Sequence, residues 1–227
     1  MRWIGKKLLA GCMTLMCGVL LAGAARALSL NVADVHNDLV LFSPNGQLVF
    51  SHIEFFLEPA DDADFTLTLL DDGLELTGPM FAEDGDSAEF YFRYQVSAVN
   101  PDALINGVTL FAPSEIVDDL YPTFAKTSKT ILDGPPGPIV GVGPLIDLLE
   151  TFNFAGTYTE LDSAAFTPRA TITVIDGVRL STGGPGDSAE VLSISNRFAV
   201  VPEPGTLVML GGGLLGLALA GRRRPAS

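Results

Sequence analysis

Ala88-Glu89-Phe90-Tyr91-Phe92-Arg93-Tyr94-Gln95-Val96-Ser97-Ala98-Val99 alternates cleanly between two kinds of side chain. Phe90, Phe92, Tyr94, Val96 and Ala98 share one face, and Tyr91, Arg93, Gln95 and Ser97 share the other. A period of two belongs to an extended chain, so this stretch reads as a strand with one face buried. Working outward, residues 39–42 and 47–57 flank Ser43-Pro44-Asn45-Gly46. Proline at the second turn position and glycine at the fourth suit a type I turn, which makes the pair a hairpin. Residues 66–70 and 192–200, and Thr171-Ile172-Thr173-Val174-Ile175, are rich in β-formers and read as further strands. Two short helices are expected: 115–121 with Ser114 as its cap and Pro122 as its stop, and 145–151 with Pro144 at its first position. Residues 133–144 between them are packed with Gly and Pro and read as a loop. Short strands separated by turn signals predict an all-β domain, a β-sandwich of jelly-roll-like kind.

A weak internal repeat runs through this pattern. Thr66-Leu67-Thr68-Leu69-Leu70-Asp71-Asp72-Gly73 is similar to Thr171-Ile172-Thr173-Val174-Ile175-Asp176-Gly177, and an identical Gly-Asp-Ser-Ala-Glu follows each, at 85–89 and 186–190. Two readings fit: two related strand–turn–strand units, or one turn chemistry used twice, since Asp-Gly and Gly-Asp-Ser both favour turns. Two copies are too few for a solenoid.

Charge is distributed unevenly. Residues 28–204 hold six basic residues (Arg93, Lys126, Lys129, Arg169, Arg179 and Arg197) against all 27 acids, so this body carries −21 while the whole chain carries −14. Such a field opposes binding to phosphate backbones, which recruit Lys and Arg, and no nucleic-acid partner is expected. It also favours solubility and repels anionic surfaces. The body's length suits one domain with a proper core.

The two ends differ from the body. Arg2, Lys6 and Lys7, then the apolar residues 8–24, then Ala25-Arg26-Ala27 follow the plan of a secretion signal cut at an A-x-A site, with Leu28 as the new first residue. Both cysteines, Cys12 and Cys17, would leave with it, so the mature chain would hold no disulfide and no thiolate ligand. Leu9-Ala10-Gly11-Cys12 fits a lipoprotein box, but only residues 8–11 separate the cysteine from Lys7, fewer than the roughly 7–15 of an h-region. At the other end, Val201-Pro202-Glu203-Pro204 leads into the apolar run 205–221, which stops at Arg222-Arg223-Arg224. As a helix this run of 17 residues would span about 25 Å, slightly less than a ~30 Å hydrocarbon core. Gly212 and Gly216 make a GxxxG spacing, a cheap match in a run that also holds Gly211 and Gly213. The arginines place the tail in the cytoplasm and the body outside.

Pro202-Glu203-Pro204, one Gly/Leu/Ala span and a terminal arginine cluster together resemble the PEP-CTERM sorting signal of Gram-negative bacteria. The resemblance covers about an eighth of the chain. It implies that exosortase, a membrane-embedded transpeptidase-like enzyme, recognises Pro202, Glu203 and Pro204 and removes the tail. It also implies passage through the inner membrane as a single-pass intermediate after the secretion and signal-peptidase machinery has acted, then release to the cell surface or outside. Many proteins of this kind associate with exopolysaccharide or biofilm matrix. No LPxTG pentapeptide is present. The expected organisation is a signal peptide at 1–27, a β-sandwich ectodomain at 28–200 and the sorting signal at 201–227.

Chemistry in the body is harder to find. Gly-Asp-Ser resembles a lipase/esterase block, but His36 and His52 both lie early and no histidine follows Asp187, so Ser188 lacks a base. No G-x-S-x-G elbow exists. His36 and His52 with Asp34, Asp38 or Glu54 lack a third histidine or an H-E-x-x-H helix, so a polar-face histidine is the reading. Acidic clusters at Asp61, Asp62 and Asp64, at Asp71 and Asp72, at Glu83, Asp84, Asp86 and Glu89, and at Asp118 and Asp119 fall in expected turns. Calcium takes about six to eight oxygens, and Asp84, Asp86 and Glu89 are the best of a weak set; no other cofactor is expected. Gly141-Val142-Gly143 lacks the third glycine of a dinucleotide fingerprint. Nothing selects a pair among the acids for glycoside hydrolysis. A sugar platform would have to draw on Tyr91, Tyr94, Tyr121 and Tyr158, because Trp3 lies in the signal and Tyr94 is expected inside. The function expected is a non-enzymatic, exported surface or matrix protein, structural or adhesive in exopolysaccharide. The alternatives are a carbohydrate- or calcium-binding module or, behind it, a hydrolase.

Overall fold

Alternation of apolar and polar residues recurs along most of the body, and each alternating stretch becomes a strand. The computed structural model describes residues 27–35, 38–56, 64–117, 123–134, 145–154 and 157–202, together with Gly212 and Leu214. One sheet holds β1 (Leu28–Asn31), β4 (Thr66–Leu70), β5 (Gly73–Glu83), β7 (Ala103–Phe111), β8 (Ser114–Val117), β12 (Leu161–Arg169) and β14 (Ser188–Pro202). The other holds β2 (Leu41–Phe42), β3 (Leu48–Phe56), β6 (Ser87–Ala98), β9 (Phe124–Asp133), β10 (Leu145–Phe154), β11 (Thr157–Thr159) and β13 (Thr171–Ser181). The first runs in the order β1-β4-β5-β14-β7-β12, with β8 also on β14; the second runs β11-β10-β9-β13-β6-β3-β2. Every pairing is antiparallel. This is the expected β-sandwich, and β5, β6 and β7 alternate between its sheets, as do β12, β13 and β14.

The core lies between the sheets. Phe90, Phe92, Tyr94 and Val96 of β6 are buried, as their alternation predicts, with Ala88 in the same phase, while Ala98 at the strand's end is half-buried. Tyr94 packs on Phe92, Phe50 and Phe198 with ring centroids 4.6, 6.1 and 6.3 Å away, joining three strands through tilted and edge-to-face aromatic contacts. The hairpin at Ser43-Pro44-Asn45-Gly46 forms: Gly46 N–H donates to the Ser43 carbonyl at 2.8 Å, and Leu41 faces Phe50 across it.

Three expectations are corrected. Residues 114–117, expected to open a helix, form β8 and pair with Ser188–Val191 of β14; residues 118–122 lie outside the described set. Residues 145–151 are also strand. Leu145, Leu148 and Leu149 have helical spacing, yet β10 pairs with β9 along its length and buries Leu149 and Thr151. In both cases a neighbouring strand offers ladder bonds that outweigh a weak local helix preference. Asp176-Gly177 is not a turn, because β13 runs straight through it to Ser181 with Asp176 fully buried. Asp71-Asp72 does turn, between β4 and β5, so the two halves of the repeat differ in their Asp-Gly step. The expected loop at 133–144 lies outside the described residues beyond Gly134.

Candidate functional site

The C-terminal motif grows out of the middle of a sheet. β14 pairs with β5 and β8 along its first part and with β7 along its second. Its last residues, Val200, Val201 and Pro202, face Ile105, Leu104 and Ala103. Proline donates no hydrogen bond, and at a strand's end it closes the ladder. Thus Pro202 belongs to the sandwich, and the boundary expected at residue 200 falls inside a strand. Glu203, Pro204 and Arg222–Arg224 lie outside the described residues, as do residues 1–26 with Ala25; Ala27 precedes β1 directly. Gly212 and Leu214 are helical. Among the described residues no helix is long and apolar enough to cross a membrane.

The two Gly-Asp-Ser-Ala-Glu copies meet in space. One carries the chain from β5 to β6 and the other from β13 to β14, so both are corners between the sheets. Gly85 and Gly186 have φ of +91° and +90°, a region costly for any residue with a Cβ. Gly186 N–H donates to Asp84 Oδ1 at 2.9 Å, Asp84 N–H to the Asp187 carbonyl at 3.1 Å, and Gly85 N–H to Thr182 Oγ1 at 2.8 Å. Asp187 is buried and accepts from Thr123 Oγ1 at 3.3 Å. The recurrence is therefore a corner used twice, and Ser188 sits in a strand rather than in a catalytic elbow.

Two of the three candidate calcium residues carry other bonds, and Asp86 is held at the corner through its backbone, its N–H donating to the Glu83 carbonyl at 3.0 Å. Asp84 is tied to the opposite corner, while Glu89 accepts from Arg179 at 2.7 Å and from the Tyr91 hydroxyl at 3.1 Å. The Arg179 bond, then that of Tyr91, holds the Glu89 carboxyl below its ordinary 4.5, and the same bond raises the Tyr91 phenol above 10.0. Among the described residues no three of His, Cys, Asp and Glu converge on a point that suits a metal. His52 is exposed at a bulge in β3, φ +52°, with Nδ1 3.2 Å from Ser51 Oγ. His36, Asp61, Asp62, Asp118, Asp119, Tyr121 and Gly141–Gly143 lie outside the described residues.

The outer face of the second sheet carries the most differentiated surface. One cross-strand row reads Glu150, Ser128, Gly177, Tyr91, Phe56, and the next reads Phe152, Lys126, Arg179, Glu89. Gly177 has no side chain, so the Tyr91 ring lies over it, and a hollow of about 320 Å³ opens between Tyr91, Lys126, Leu148 and Glu150. Tyr91 is 42% exposed, and its ring lies 6.4 Å from that of Phe56. Lys126 pairs with Glu150 at 2.7 Å, Arg179 with Glu89, and Arg93 with Glu54. Arg169 pairs with Asp133, Arg197 with Asp72 and Lys129 with Asp176, so each basic residue of the body has a carboxylate partner.

The last of these pairs is unlike the others. Lys129 on β9 and Asp176 on β13 are cross-strand partners whose side chains point inward and are fully buried. Asn196 reaches in from β14 of the opposite sheet and donates from Nδ2 to Asp176 Oδ2 at 2.7 Å. Asn196 Oδ1 and the hydroxyl of buried Tyr94 have no hydrogen-bond partner of good geometry. Burial drives the Lys129 amine below 10.5 and the Asp176 carboxyl above 3.8, and the attraction between the two only partly offsets this. Burial, and then the nearby Asp176 charge, push Tyr94 well above 10.0. Sequence reading missed this group. The signal was present, since Lys129 is in phase with buried Ala125, Thr127 and Ile131, and Asp176 with Ile172, Val174 and Val178.

Comparison with known proteins adds one informative match. The solved structures include TmCBM61 in complex with β-1,4-galactotriose, 10% identical over 69% of this chain and 88% of that one, TM-score 0.29. A glycosylation-associated protein (Gap123) complex from Streptococcus agalactiae is 14% identical over 63% and 23%, TM-score 0.27. A thermostable cellulase derived from Cel12A of Rhodothermus marinus is 14% identical over 78% and 99%, TM-score 0.31. Superpositions this loose carry nothing over to this chain. No curated protein matches it. The family model of the PEP-CTERM protein-sorting motif matches residues 200–224, which take in the end of β14, Pro202-Glu203-Pro204, the apolar run and the arginines. The chain thus carries a PEP-CTERM protein-sorting motif at its C-terminal end, a motif that implies export and processing by exosortase.

Proposed function

We propose that this protein is a non-enzymatic component of the cell surface or extracellular matrix, structural or adhesive in exopolysaccharide, freed from the inner membrane when exosortase removes the tail. The observation that carries the reading is the direct run of β14 into the motif: with Pro202 still paired to Ala103, no linker separates the sandwich from the sorting signal. The rigid body would stand at the membrane surface until cleavage and travel as a unit afterwards. The test is peptide mass spectrometry on the protein from its native host, comparing membrane with extracellular fractions. Chains beginning near Leu28 and ending near Pro204 outside the cell are expected. Chains found only in the inner membrane and still carrying Arg222–Arg224 would sink the proposal.

A second reading is supported by the outer face of the second sheet. A half-exposed tyrosine beside an open hollow of mixed apolar and charged walls suits the apolar face of a sugar ring, with Ser128 and the paired charges as hydrogen-bonding groups for its hydroxyls. Under this reading the ligand is a neutral glycan, because no cation on that face lacks its own carboxylate. Retardation in native gels cast with neutral polysaccharides, abolished by Tyr91→Ala, would support it. Equal mobility of both proteins in every gel would exclude it.

A further inference from the structure

We propose that Lys129 and Asn196 condense into an intramolecular amide that joins the two sheets, with Asp176 as the group that carries the protons. The three side chains are buried together in the core, one from each of β9, β14 and β13, and the Asp176 carboxylate touches both of the others, Lys129 through Oδ1 and Asn196 Nδ2 through Oδ2. A carboxyl group between an amine and a carboxamide is placed to take a proton from one nitrogen and give it to the other. The apolar surroundings favour the reactive forms, since burial drives Lys129 toward the free amine and Asp176 toward the acid.

The step balances within the chain. The lone pair of neutral Lys129 Nζ attacks Asn196 Cγ, and the carbonyl electrons move onto Oδ1. That oxygen has no hydrogen-bond partner in the unreacted protein. The Tyr94 hydroxyl, which lies against the Asn196 side chain without a hydrogen bond of good geometry, is the donor at hand for the charge developing there. Asp176 passes one proton from Nζ to Nδ2, the Cγ–Nδ2 bond breaks, and ammonia leaves. The product is a secondary amide between Nζ and Cγ, and Asp176 is regenerated. No oxidant, metal or co-substrate is consumed. Holding the reactants rigidly in a dry core supplies the effective concentration that two free side chains lack.

Asn196, not Asp176, is the acceptor on chemical grounds. Condensation of Lys129 with Asp176 would consume the one carboxyl group that, among the described residues, faces the lysine, and leave nothing there to move protons. It would also join neighbouring strands of one sheet that hydrogen bonds already hold. A bond to Asn196 instead ties the second sheet to β14, the strand that continues into the sorting motif. In a chain whose two cysteines both lie in the leader, it would serve as a disulfide does.

The experiment is tryptic mapping of the purified, folded full chain. With Lys129 acylated, trypsin passes over it, and a branched product of 127–169 joined to 180–197 is expected, lighter than the sum of the two peptides by one ammonia. Folded Asp176→Ala protein, checked by circular dichroism, is expected to give the two peptides free and cleavage after Lys129. Free 180–197 and cleavage after Lys129 in the unmodified protein would overturn the proposal and leave a non-covalent buried ion pair. A loss of one water, with the branch at Asp176, would overturn the choice of Asn196. A branch that persists in Asp176→Ala would overturn the role of Asp176.

Discussion

Gly73 begins β5 against the backbone of β14, where a Cβ would fall 1.7 Å from the Asn196 carbonyl oxygen. Backbone in the middle of a sheet cannot step aside, so Gly73→Ala must prise β5 away from β14. At Gly177 an added Cβ would meet only side chains, Ser128 Oγ at 3.2 Å and Tyr91 Cε1 at 3.3 Å, and both can give. Gly73→Ala is expected to cost about 3 kcal/mol and Gly177→Ala under about 1 kcal/mol, read from the midpoints of denaturant unfolding; equal midpoints would contradict this account of β5–β14 packing. On the outer face, Glu89 titrates below 4.5 because Arg179 and Tyr91 hydrogen-bond its ionised form. A carboxylate with a lowered folded pKa favours the fold above its unfolded value, and that help is lost as pH falls through the folded value. In Arg179→Ala, carboxyl NMR should find the Glu89 midpoint moved up toward 4.5.

At the scale of elements, what was legible in the sequence was whatever depended on period and turn chemistry alone. β6, the β2–β3 hairpin, β4 and β14 could be read because alternation and Ser43-Pro44-Asn45-Gly46 are local. β8 and β10 could not, because Ser114-Glu115-Ile116-Val117 becomes a strand only when residues 188–191 lie beside it, and Leu145–Phe154 only beside β9. The buried polar group was legible only in part: Lys129 and Asp176 share the phase of buried neighbours on their own strands, but nothing local pairs them with each other or with Asn196 until the register brings them together. The sorting motif was fully legible, since it is a linear signal read by another protein. Its junction with the fold gives a prediction. Val200 packs against the core, and Val201 and Pro202 still pair with β7. A chain ending at Pro204 should melt at the same temperature as the full chain. One ending at Ala199 should lose about 1–2 kcal/mol through the lost Val200 burial and ladder bonds. If the Ala199 chain melts no lower, β14 ends earlier than its pairing indicates.

At the scale of the whole molecule, the decisive quantity is how few positive charges stand free. The body carries −21, and each of its six basic residues already faces a carboxylate. Lys126 and Arg179 are direct cross-strand neighbours, a like-charge contact that would destabilise the sheet without their ion pairs to Glu150 and Glu89. The acids therefore hold two cations together and also hide them from outside anions. A column of sulfated polysaccharide tests both statements. The unmodified protein should pass through unretained even at low salt, where surface electrostatics is strongest. Glu89→Gln with Glu150→Gln uncovers two adjacent cations beside the Tyr91 hollow, and this variant should be retained and released as salt rises. It should also unfold at lower denaturant, with the difference shrinking in high salt as the Lys126–Arg179 repulsion is screened. Retention of the unmodified protein would show that its acidic field does not govern what it binds. A double variant that still flows through would show that the paired carboxylates are not what keeps polyanions away.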